Sequence, residues 1–140
     1  KLKQMATSDC IKFLGTMERE KVLLRTAGAD LICMPSLWEG LSIYMMEAFS
    51  LGRPMMLSDI PSFREAVDEC ALEGRPYRRC AWGYLVKVDD PSAYRAAIFD
   101  FIENKTEWVK MQKSSLKMAE KFNIQTTARK YIEAYSSLMD

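Results

Sequence analysis

The sequence contains no histidine, which removes a large share of enzyme chemistry at once. No Ser-His or Cys-His pair can form, and a metal site would have to manage without imidazole. The four cysteines, Cys10, Cys33, Cys70 and Cys80, form no Cys-x-x-Cys, so a zinc ribbon or thiol-redox motif is excluded. Cys10 and Cys33 stand beside apolar runs and read as buried thiols. A Cys70–Cys80 disulfide is disfavoured in a chain of cytosolic character. No apolar run approaches the roughly 20 residues of a membrane span, and no signal-peptide core opens the chain. Neither charge sign is in excess, with 20 basic and 19 acidic residues, which gives no argument for a nucleic-acid partner. Gly-x-Gly-x-x-Gly and Walker A patterns are also missing, which argues against a dinucleotide site or a P-loop. There is no repeat, low-complexity tract or linker, so 140 residues make one domain or part of one.

What is present is an alternation of short apolar runs with helical patterns. Strands are expected at Ile11–Leu14, Leu31–Pro35, Pro54–Leu57 and Tyr84–Val88, and helices near Glu18–Ala27, Ser42–Leu51 and Phe63–Cys70. Apolar strands joined by helical crossovers imply an α/β fold, a parallel sheet with helices on both faces. After Pro91 the period is purely helical, over Ser92–Asn104, Thr106–Phe122 and Thr126–Met139, with Asp89 or Asp90 capping the first of these. Only four strands are visible where a doubly wound domain has about six, so the chain reads as a partial domain.

The most informative stretch is Pro35-Ser36-Leu37-Trp38-Glu39-Gly40-Leu41-Ser42, running on to Glu47. It joins a buried strand to a helix for which Ser42 is a well-suited N-cap. Such a helix start aims unpaired N–H groups and a positive dipole end at one point, which suits a phosphate. Gly40 lets a ligand approach the backbone, and a glutamate stands on each side of the turn. Amides for a diphosphate and carboxylates for sugar and ribose hydroxyls are the parts that hold a nucleotide-sugar. Glu47 follows Ser42 by about 7.5 Å along the helix axis, a reach suited to the ribose rather than the anomeric centre.

This segment resembles the Glu-x7-Glu motif of retaining GT-B glycosyltransferases, above all family 4 (group 1), with Glu39 and Glu47 as its glutamates. The spacing alone is not specific, since Glu65 and Glu73 share it; its place between a buried strand and a helix is. The likeness extends over Ile11–Gly15, Glu47–Pro54, Ser58–Glu65 and Gly83–Pro91, in order along almost the whole chain. It implies that residues 1–140 are part of the C-terminal, Rossmann-like donor-binding domain, with 92–140 as its closing helices. The implied donor ligands are Glu39, Gly40, Leu41, Ser42 and Glu47, with Glu39, the catalytic residue, on the hexose and Glu47 on the ribose. The implied activity is hexose transfer from a nucleoside-diphosphate sugar with retention by front-face attack, without cofactor or metal. The acceptor is a glycan or glycolipid met by an N-terminal domain. The full protein would be cytoplasmic, with peripheral membrane association allowed. The family's phosphate-clamping Arg and Lys precede the stretch matched here, so the fragment alone is expected to be inactive. A glycosidase-type carboxylate pair is rejected, because a helix-borne Glu47 facing a ribose cannot also lie across the glycosidic bond from Glu39. Other classes remain open: a non-catalytic nucleotide-sugar-sensing or scaffold module, or a GT-B relative performing epimerisation or phosphorolysis.

Other candidates carry simpler readings. Asp59 ends a strand where ligands gather, but more simply turns the chain toward Pro61. Arg64 and Glu65 open a helix, and Met45, Met46, Met55 and Met56 read as core. Tyr131 and Tyr135, four apart, are expected to pack the last helix down. Glu73–Trp82, with three arginines beside Tyr77 and Trp82, departs from the family pattern and reads as a solvated loop rather than an acceptor contact.

Overall fold

A computed structural model of the chain describes residues 2–6, 8–69 and 71–139. After a single helical turn, α1 (Leu2–Met5), the order is α2 (Arg19–Ala27), β1 (Ile32–Met34), α3 (Ile43–Ser50), β2 (Met55–Ser58) and α4 (Pro61–Val67). A hairpin follows, β3 (Tyr77–Cys80) and β4 (Gly83–Val86), then α5 (Pro91–Glu103), α6 (Trp108–Ala119) and α7 (Ile124–Ser136). The sheet has four strands in the order β1-β2-β4-β3. The first three run parallel, with Ile32 beside Met55 and Met55 beside Gly83, and β3 is antiparallel to β4.

The alternation along the strands sorts side chains onto two buried faces. Met34, Met55, Leu57 and Leu85 meet Met45 and Phe49 of α3 and Phe63 and Val67 of α4 on one face. Met56, Tyr84 and Val86 meet Ala93, Ala97 and Phe101 of α5 on the other, where Trp108 stacks on Phe101 at 4.4 Å. Helices therefore cover both faces, as the apolar, non-alternating strands require. Met45, Met55 and Met56 are wholly buried and Met46 partly so, as the core reading expected. Gly83 is held to its residue type by the close approach of β2. Its φ is +150°, and a Cβ there would lie 1.9 Å from the Met55 carbonyl oxygen.

Four expectations need correction. Ile11–Leu14 is irregular backbone with its apolar side chains 44–54% exposed where described, and β1 pairs only with β2 among the described residues. An apolar run becomes a strand only where a neighbour accepts its hydrogen bonds, and here none does. Second, only the start of Glu73–Trp82 is a solvated loop: residues 73–76 are exposed turn, but residues 77–80 form the edge strand β3. Arg79 donates to Asp100 of α5 at 2.5 and 3.0 Å, and the Tyr84 hydroxyl donates to the same carboxylate at 2.6 Å. Arg78 lies 3.4 Å from Glu69. These contacts pin the hairpin to the domain, and they involve side chains more than twenty positions apart in part, which no local pattern reports. Third, Cys10 and Cys33 are exposed, while Cys80 is buried, and burial pushes its thiol up to about 12. The Cys70–Cys80 question lies outside the described residues, because Cys70 is not among them. Fourth, Tyr131 and Tyr135 stack on each other at 6.4 Å but remain 62% and 64% exposed, and α7 buries none of its residues. Their spacing brought them onto one face without a surface to meet it.

Candidate functional site

The loop Pro35–Ser42 leaves the carboxyl end of β1, the edge of a parallel sheet where ligands of such sheets collect. Ser42 is the N-cap of α3: its hydroxyl accepts from the Met45 N–H at 3.3 Å, and its carbonyl accepts from Met46 at 3.3 Å. No hydrogen bond among the described residues uses the N–H groups of Gly40, Leu41 or Ser42. They stand at the positive end of an eight-residue helix and are free to meet an acceptor. Gly40 has no neighbouring atom within 4 Å of where a Cβ would sit, so the space above it is open to a ligand.

The two glutamates are held differently. The Ser36 hydroxyl donates to Glu39 Oε1 at 3.0 Å, which fixes the loop carboxylate from within its own turn. Glu47, in the middle of α3, is reached from α2: Arg19 donates through Nε at 3.1 Å and Nη2 at 2.5 Å, both to Oε1. The Glu47 side chain is 20% exposed and Arg19 75% exposed.

The surrounding grooves divide the predicted residues. Gly40 and Leu41 line a groove of about 780 Å³ with Glu65, Asp68, Lys121 and Lys130. Lys121 pairs with Asp68, which holds the Asp68 carboxyl below its ordinary value. Glu47 lines a separate groove of about 400 Å³ between α2 and α3, together with Arg19, Leu23 and Ile43. A third, apolar groove of about 520 Å³ runs from Pro35 and Leu37 to Tyr94 and Phe99 of α5. The structure thus gathers Glu39, Gly40, Leu41 and Ser42 on one turn and sets Glu47 on the adjoining helix flank, not in the same pocket. Around the turn, Leu37, Trp38, Leu41 and Ile43 are 64–84% exposed.

Asp59, which follows β2, is engaged within the fold. Its carboxylate accepts from Arg64 at 2.9 Å and from the Leu72 N–H at 3.2 Å, tying α4 to the segment after it. Arg19, Lys121 and Lys130 were missed from sequence. Each is an ordinary charged residue on a helical pattern, and only the docking of helices brings Lys121 and Lys130 to the groove beside Gly40 and Leu41, and Arg19 to Glu47.

The comparisons with known proteins fall on this same framework. The family model described as glycosyl transferases group 1 matches residues 1–122. Among curated relatives, a D-inositol 3-phosphate glycosyltransferase of Corynebacterium urealyticum is 25% identical over 96% of this chain and 30% of its own length. The putative glycosyltransferase EpsF of Bacillus subtilis is 47% identical over 58 residues, 41% of this chain and 14% of its own. The chain thus spans about a third or less of the curated relatives it matches. A sucrose-phosphate synthase structure from Thermosynechococcus elongatus superposes with a TM-score of 0.77 at 20% identity, covering 99% of this chain and 32% of that one. That likeness shows the fold, a domain of the GT-B type with helices on both sides of its sheet. The strand, open turn and capped helix described above are therefore those of a known family, and the chain belongs to the glycosyl transferases of group 1.

Proposed function

We propose that the Pro35–Ser42 turn and α3 bind a nucleoside-diphosphate sugar, whose hexose the whole protein transfers to an acceptor with retention of configuration. One observation carries this reading: three unbonded N–H groups leading into a capped helix start, beside an open glycine, with the Glu39 carboxylate in the same turn and Glu47 on the adjoining helix flank. The N–H groups of Gly40, Leu41 and Ser42 would meet the distal phosphate and stabilise charge as the diphosphate leaves. Glu39 would take the donor hexose hydroxyls and is the proposed catalytic residue; Glu47 would take the ribose. The acceptor, a glycan or glycolipid, would be met by parts of the protein beyond this chain. The reaction calls for no cofactor and no metal, and a cytoplasmic location fits it. No helix among the described residues is long and apolar enough to cross a membrane.

A thermal-shift panel of uridine, guanosine and adenosine diphosphate sugars on the protein tests the reading. A ligand at a hundred times its dissociation constant adds about 2.7 kcal/mol of stability. Gly40→Val, which places a side chain in open space, should remove that shift while leaving the unliganded melting temperature in place. If no donor shifts the melt, or the shift persists in Gly40→Val, this turn is not the donor site.

A further inference from the structure

We infer that Arg19 is a positioning residue for Glu47: it holds Oε1 and so presents Oε2 to a hydroxyl of the bound nucleotide's ribose. The inference rests on the proposed placement of the ribose at Glu47. Both Arg19 donors, Nε and Nη2, converge on Oε1, at 3.1 and 2.5 Å. No hydrogen bond among the described residues reaches Oε2. A guanidinium serving only as a tie between helices would more commonly grip both oxygens in a fork. Converging on one oxygen fixes the carboxylate plane and leaves the second oxygen with its full acceptor capacity.

Two further facts separate this role from simple helix docking. Arg19 is the first residue of α2, where a cation faces the positive end of the helix dipole. The helix would be better served by an acid at that place, so the arginine answers to something outside α2, and its partner is Glu47. Meanwhile α2 and α3 are already joined where Thr26 Oγ1 and the Tyr44 hydroxyl meet at 3.0 Å, with Thr26 buried. Removing an exposed guanidinium at the far end of α2 should leave that join intact, and an exposed ion pair contributes little to stability on its own.

The test is calorimetric titration of the protein with UDP, GDP and ADP, followed by the 2′,3′-dideoxy form of whichever binds tightest. Arg19→Gln should weaken binding of the hydroxylated nucleotide roughly three- to tenfold, the scale of one hydrogen bond. It should leave the dideoxy form nearly unchanged and the melting temperature intact. Arg19→Lys should recover part of the loss, and Arg19→Gln added to Glu47→Gln should cost nothing further. If Glu47→Gln discriminates between the two nucleotides and Arg19→Gln does not, or if Arg19→Gln weakens both equally, the positioning role is overturned and the ribose placement stands. If Glu47→Gln itself fails to discriminate, the ribose placement falls, and the role of Arg19 with it.

Discussion

Seven residues separate Glu39 from Glu47, yet their surroundings have nothing in common: one is tethered by a serine three positions away, the other by an arginine on a different helix. If they serve different parts of one ligand, their removal should be felt differently. Glu39→Ala is expected to lower turnover strongly while leaving affinity for free nucleoside diphosphate nearly intact, since its contacts lie beyond the phosphates. Paired kcat and binding measurements check this, and an equal loss in both would show that the roles are wrongly divided. Gly83 makes a second prediction at this scale. Gly83→Ala would drive a Cβ into the Met55 backbone between two central strands. Backbone cannot yield as a flexible side chain can, so the cost should be at least about 3 kcal/mol. Urea unfolding with an unchanged m-value would measure it.

At the scale of elements, caps decide where helices begin, and one of them titrates. Asp90 caps α5 by accepting from the Ala93 N–H at 3.0 Å and from the Ser92 hydroxyl at 2.6 Å. The Ser92 hydroxyl above all, then the Ala93 N–H and Lys87, hold its carboxyl below the ordinary value of about 3.9. A carboxyl depressed on folding contributes stability that is present in full above its unfolded pKa. That contribution is lost as pH falls through the folded value, so the window lies at and below about pH 3.9. Amide exchange in the first turn of α5 should therefore rise selectively as pH falls through that window, after correction for intrinsic rates. Asp90→Asn, which keeps a capping oxygen that does not titrate, should flatten the response. An unchanged acid response in that variant would place the sensitivity elsewhere.

For the molecule as a whole, the apolar residues left uncovered set the expected behaviour. The outer edge of β1 is unpaired among the described residues, and α7 exposes Ile124, Tyr131, Ile132 and Tyr135 along its length. An open parallel edge and an uncovered apolar helix face are both surfaces that recruit a partner. The 140-residue polypeptide prepared alone should accordingly self-associate as its concentration rises. Light scattering would detect this, and a strictly monomeric chain at high concentration would show that these surfaces are inert. The same polypeptide is expected to transfer no sugar, because an acceptor has no counterpart among the features described; turnover by it would refute the division of labour proposed above.

Much of this was legible in the sequence alone because it depends on neighbours a few positions away. The placing of α2 to α6 to within about three residues at each end, β1, β2 and β4, the Ser42 cap and the turn before it all follow from local periodicity, capping chemistry and glycine placement. The two-faced burial of the sheet followed too, since strands apolar on both sides have no other stable setting. The tertiary structure alone decided the rest. Whether Ile11–Leu14 became a strand depended on an available neighbour, and whether Tyr77–Cys80 did depended on β4, with Asp100 there to receive Arg79 and Tyr84. Whether the face of α7 was buried depended on a surface to meet it. The pairing of Arg19 with Glu47, 28 positions away, exists only because α2 and α3 dock. Local preferences act through a residue's own backbone and its near neighbours. Apart from the β3–β4 hairpin, whose strands lie two residues apart, these contacts arise only after elements distant in sequence have packed, and no short window of sequence contains both partners.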